Sequence, residues 1–195
     1  METELVYSYN GFNWYRSCRE PFIGLRDYGL VGGGQVYGME MLKTPEHQLM
    51  FIATGTVGEH AAYPDMQAAG MDTTGNFCPL IYEMRLDGFC YLKTFAREGI
   101  LRTKTIVPTS SAVSLNVRTT KHTSLKVQIL DGETAQPIEG FTWDTARPIT
   151  GDHLFIEPRW VEHDSLASLL GRPIRIEIMM REAELYAIRV KHDAY

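Results

Sequence analysis

Six carboxylates lie in or beside the loops of the first half of this chain: Glu20, Asp27, Glu40, Glu59, Asp65 and Asp72. Cleavage of a glycosidic bond needs two such groups about 5 to 9.5 Å apart. None of these six has a spacing that forces a pair onto one face, and Asp65 and Asp72 read most simply as solvated loop charges. His60 follows Glu59 in Val57-Gly58-Glu59-His60. An imidazole there can hydrogen-bond a hydroxyl or serve as acid or base, while the plainer fate is a loop histidine satisfied by backbone. The remaining histidines, His47, His122, His153, His163 and His192, are scattered without the i, i+4 spacing of a zinc helix. Cys18, Cys78 and Cys90 are odd in number and lack metal spacing, so they read as thiols without a chemical role. No metal and no cofactor is expected, and the catalytic residues stay unknown.

Trp14, Trp143 and Trp160 have the ring area to stack on sugars, yet an indole whose N–H finds a partner in a core is the commoner arrangement. Arg16 and Arg19 can form planar contacts with a carboxylate or anchor a loop. The run Gly32-Gly33-Gly34 lacks the following Gly-Lys-Ser/Thr and the helix that a phosphate loop requires.

The elements that position these residues are strands. Gln35–Leu42, Gln48–Thr56 and Phe77–Arg85 read as strands, separated by the turn at residues 43–47 and a long loop at about residues 58–75. Residues 5–9 and 12–16 form a predicted hairpin around Asn10-Gly11. Beyond Gly99 the strands shorten and recur regularly at residues 101–107, 112–118, 124–130, 154–158, 172–181 and 184–191. Ser114-Leu115-Asn116-Val117-Arg118 alternates cleanly, which puts one face in a core and the other in water. One short helix is predicted over Ser165–Leu170, with Asp164 as its N-cap and Gly171 beyond its end.

At 195 residues, 44% hydrophobic and 22% charged, the chain can bury a substantial core. Its net charge of -5 argues against nucleic acid or a polybasic membrane contact as partner. No window approaches about 18 uninterrupted apolar residues. Residues 1–7 lack the basic end and apolar stretch of a secretory signal, so a cytoplasmic location is expected if Met1 is the natural start.

Three stretches resemble the C-terminal end of five-bladed propeller proteins related to fructofuranosidases and arabinanases. Tyr7-Ser8-Tyr9-Asn10-Gly11-Phe12-Asn13-Trp14-Tyr15-Arg16 resembles the outer hairpin of a blade, with Asn10 where Asp is usual. Gly34-Gln35-Val36-Tyr37, then Leu49-Met50-Phe51-Ile52-Ala53-Thr54-Gly55 and His60, is similar to a last blade. Met84-Arg85-Leu86-Asp87-Gly88-Phe89 resembles the junction into the β-sandwich that follows the propeller. The resemblance continues through Gly151-Asp152, Trp160, Leu169-Leu170-Gly171 and Leu185-Tyr186-Ala187. It implies an all-β fold: a partial β-propeller blade region over residues 1–90 and a two-sheet, jelly-roll or lectin-like β-sandwich over residues 91–195.

Such a ring needs on the order of 20 strands, and the family's catalytic carboxylates come mainly from earlier blades. Where the family commonly has Asp two residues before Gln35, this chain has Gly33. The resemblance therefore implies the C-terminal portion of a glycoside-hydrolase-like protein, its sandwich a structural or carbohydrate-contacting accessory. Gln35, Tyr37 and His60 are the expected sugar contacts. The competing expectation is a stand-alone carbohydrate-binding or self-associating β-sandwich module. Unpaired strand edges template another chain, so homo-oligomers are expected to form through the N-terminal strands.

Overall fold

The computed structural model describes residues 1–16, 18–59, 63–70 and 77–190. The protein is all-β, with three antiparallel sheets, none of them closed among the described residues. Two compact units divide the chain, Met1–Arg85 and Leu86–Tyr195. Residues 86–90, which the sequence groups with the first region, are held by the second. Asn116 donates its amide to the Leu86 carbonyl at 2.6 Å, and Arg189 pairs with the Asp87 carboxylate.

In the first unit, β1 (Gln35–Lys43), β2 (Gln48–Thr56) and β3 (Phe77–Arg85) form a meander in the order β1-β2-β3. Their bounds agree closely with the sequence reading because each strand is stopped by turn chemistry. His47 supplies a positive φ between β1 and β2, and its N–H donates to the Thr44 carbonyl at 3.1 Å. The β2–β3 loop contains α1 (Tyr63–Ala68), a helix the sequence reading missed. Pro64 near its start and Asp65 in its first turn are the local signals for it. One face of the sheet is covered: Val36, Phe51 and Ala53 are buried, with Ile23, Phe22, Leu80 and Tyr82 against this cluster or its rings.

The predicted N-terminal hairpin is reduced to a single bridge between Tyr7 and Tyr15. Asn10 Oδ1 accepts the N–H groups of Phe12 and Asn13 at 3.0 and 2.9 Å, so the turn forms as an Asx turn. Its aromatic side chains gain no second layer, and strand pairing stops there.

The second unit contains β4 (Leu92–Lys93), β5 (Gly99–Arg102), β6 (Val113–Thr119), β7 (Leu125–Asp131), β8 (Asp152–Ile156), β9 (Ile174–Met180) and β10 (Ala183–Val190). They form a four-stranded sheet, β4-β10-β6-β8, and a three-stranded sheet, β5-β9-β7. Leu115 and Val117 from β6 and Leu185 from β10 share one buried cluster with Val127 and Ile129 from β7 and Ile176 and Ile178 from β9. Trp160, at 1% exposure, fills this cluster and donates its indole N–H to the Val127 carbonyl at 3.0 Å. Phe141 packs edge-on against it, ring centroids 4.9 Å apart.

Two predicted elements change. The strand expected over residues 101–107 ends at Arg102, and the chain rejoins the sheet as a bridge from Ile106 to Ile174. Between them the Thr103 hydroxyl accepts the Ile176 N–H at 3.0 Å. The helix expected over residues 165–170 is instead a 3₁₀ turn, Ala167–Leu169, whose N-cap residue is Leu166 with no side-chain cap. Tertiary bonds decide the backbone here: Leu166 N–H donates to Ser111 O and Gly171 N–H to Pro108 O, both at 3.0 Å.

Replacing Trp160 with Phe removes a buried donor and leaves the Val127 carbonyl unpaired. We expect a loss of about 1–3 kcal/mol in urea denaturation, on top of any packing loss. A second expectation concerns acid. Asp131 Oδ1 accepts the Thr134 and Glu133 N–H groups and Oδ2 accepts from Arg172 at 2.7 Å, which holds this carboxyl well below the usual range. A depressed folded-state pKa stabilises the fold above the unfolded value, and the gain is lost as pH falls. Melting temperatures recorded below about pH 4 will therefore fall less steeply in Asp131→Asn than in the parent chain.

Candidate functional site

The expected sugar contacts begin at the start of β1. Gly32 and Gly34 donate their N–H groups to the same acceptor, the Thr56 carbonyl, at 2.9 and 3.0 Å. The Thr56 hydroxyl in turn donates to Gly58 O at 2.7 Å. This knot closes the end of the sheet and sets where Gln35 emerges. A β-carbon on residue 34 would collide with the Gly58 carbonyl, so the position requires glycine for close backbone approach. The glycine run is thus a packing device between the start of β1 and the end of β2.

Gln35 pairs with Thr56 and Tyr37 with Thr54 in register, two residues apart on β1, so both belong to one face of the sheet. Gln35 is buried and Tyr37 half-buried. His60, the third expected contact, lies outside the described residues, as does Asp72.

A β-bulge after Tyr37 adds a residue that sequence reasoning did not connect with this face. The register shifts between Tyr37 and Glu40, with Gly38 at φ 63°, so that Glu40 and not Met39 opposes Ile52. Glu40 thereby joins Gln35 and Tyr37 on one face, while Met39 packs against the buried cluster. The glycine at position 38 is the signal that marks the bulge.

Glu83 also lies on this face, opposite Met50 on β3. Two strand spacings and a two-residue offset separate it from Glu40, roughly 12 Å between Cα positions by ideal sheet geometry. The face can bind through an amide, a phenol and carboxylates.

The same face is apolar elsewhere. Ile52 and Ile81 oppose each other, as do Thr56 and Phe77, and Leu42 opposes Met50. Phe77 is 57% and Ile81 64% exposed. Of the tryptophans, Trp160 is the core residue already described. Trp14 is exposed, and Trp143 is half-buried. Arg16 pairs with Glu4 at 2.5 Å, so it anchors the N-terminal segment to itself.

Gly34→Ala will break the knot at Gly58, costing the first unit about 1–3 kcal/mol and shifting Gln35 and Tyr37. Loss of amide protection in residues 34–58, with the second unit's core amides unchanged, is the expected hydrogen-exchange result.

Compared with family models, with curated proteins and with solved structures, the chain finds no match in any of the three.

Proposed function

We propose that this chain is the C-terminal portion of a glycoside-hydrolase-like protein, with β1–β3 as part of its last propeller blade and the second unit as an accessory β-sandwich. The observation that carries this reading is the open apolar face of the β1-β2-β3 sheet. A sheet in water ordinarily buries its apolar side and turns polar groups outward. Here one face is covered by Ile23 and Phe22, and the other still presents Phe77, Ile81 and Leu42 to solvent. In a propeller, blades stack face to face, and a preceding blade would cover these side chains. The exposed Tyr9, Phe12 and Trp14 of the N-terminal hairpin fit the same need, as pieces of an outer blade edge.

In this reading the chain supplies pocket wall and scaffold, and the hydrolytic carboxylates come from elsewhere in the protein. Gln35, Tyr37 and His60 contact sugar, with Glu40 beside the first two. No cofactor is called for.

A second reading is favoured by the edges of the same sheet. Among the described residues β1 and β3 are the outer strands of this sheet, and beyond the start of β1, where Val36 N–H donates to Met1 O, such edges invite another copy of the chain. A self-associating, carbohydrate-binding module would cover the apolar face by dimerisation.

An immunoblot of native extract with antiserum to this chain, read beside the coding sequence upstream of Met1, separates the two. The fragment reading expects an in-frame extension with further blade-like repeats and a native band far heavier than 195 residues. A native band at 195 residues, with a dimer or larger species in light scattering, overturns it in favour of the module.

A further inference from the structure

The second unit has a cleft that neither its core nor the sugar contacts of the first unit account for. Three segments meet there: residues 93–96, residues 118–122 and the turn before β10. Their backbones are tied together by hydrogen bonds. Glu182 N–H donates to Phe95 O at 3.0 Å, and the Glu182 carbonyl accepts from Thr120 N–H at 3.4 Å. Thr94 N–H donates to Ala183 O at 2.9 Å. The space enclosed is about 500 Å³, within the range of small-ligand sites. A second recess of about 400 Å³, lined by Ser124 and Lys126 among others, shares His122 and Glu182 with it. The first of these recesses forms the trough.

Its lining combines three features. Phe95 contributes an aromatic ring that remains 71% exposed, with Lys93 Nζ 5.6 Å from the ring centroid. Charged groups stand around it in held positions. Glu184 accepts from Lys93 at 2.9 Å and from the Tyr186 hydroxyl at 2.6 Å, and Arg118 binds Asp152 at 2.9 Å. Glu182 itself has φ 46°, a left-handed backbone that costs a non-glycine residue free energy. A hairpin turn at this position would gain stability from glycine, yet it carries a carboxylate that lines the cleft.

The charges in the first recess balance, Lys93 and Arg118 against Glu182 and Glu184. A phosphate or polyacid would gain little from such a lining. A sugar suits it: one face of the ring is C–H and stacks on an aromatic ring, and its hydroxyls donate and accept at the same time. Arg118 and His122 can offer donors, Glu182 an acceptor, and the Thr120 hydroxyl both. We propose that this trough is a binding site for a neutral oligosaccharide, with Phe95 as the stacking platform and Arg118, His122 and Glu182 as hydroxyl partners. The choice of sugar rests on the carbohydrate reading above, and the neutral lining supports it independently.

The test is a titration of the full 195-residue, ¹⁵N-labelled chain with three neutral trisaccharides: arabinotriose, inulotriose and cellotriose. At least one should shift amides in residues 94–96, 119–123 and 181–184. Phe95→Ala should raise its Kd by about tenfold or more with the melting temperature unchanged, since this ring lies outside the core. Glu182→Gly should bind more weakly and melt higher, because glycine relieves the backbone while the carboxylate is lost. Trigalacturonate should bind more weakly than the neutral sugars. Absence of shifts with all three neutral sugars, shifts confined to other residues, or an unchanged Kd in Phe95→Ala overturns the site. Tighter binding of trigalacturonate overturns it as well. The native size of the polypeptide does not depend on these outcomes, so failure here leaves the fragment reading standing.

Discussion

An antiparallel sheet with an apolar face must have that face covered, and this requirement organises the whole chain. The second unit meets it internally. Leu115 and Val117 look across at Val127, Ile176 and Ile178, and Trp160 fills the space with its one polar atom paired. The first unit meets the same requirement on one side, where Val36, Phe51 and Ala53 lie under cover. On the other side the apolar stripe continues across three strands into solvent. The contrast between one self-sufficient unit and one half-covered unit gives the functional reading its direction.

Strands with strong local signals were legible in the sequence. β2 and β3 follow continuous apolar runs bounded by turn chemistry, so Gln48–Thr56 and Phe77–Arg85 are recovered at their true ends. The all-β class follows from the same pattern. What local pattern could not supply was anything decided by distant partners. The 3₁₀ turn at Ala167–Leu169 is set by bonds to Ser111 and Pro108, and α1 has too few residues for an amphipathic period. The break after Arg102 depends on a threonine hydroxyl taking over a ladder bond from Ile176.

The site residues show the same division. That Gln35 and Tyr37 share a face follows from strand periodicity alone. Glu40 joins them through a bulge, which reverses the face of every later residue in β1 and is marked in the sequence by a lone glycine. The trough in the second unit was not legible at all. Phe95, Arg118 and Glu182 come from segments far apart in the chain and are brought together by pairing of β10 with both β4 and β6.

That pairing has a consequence for how the protein is made. β10 is the last strand among the described residues, yet it sits between β4 and β6 inside its sheet, and its Arg189 grips Asp87 across 102 positions of sequence. Translation delivers the chain from the N-terminus, so β4 and β6 emerge with a vacant place between them. The second unit cannot close until β10 has been made. Throughout that interval its apolar strand faces have no finished core to enter. Non-local closure of this kind is slow, and waiting hydrophobic surface is what chaperones engage. Loss of β10 therefore removes the keystone of the sheet rather than trimming its edge.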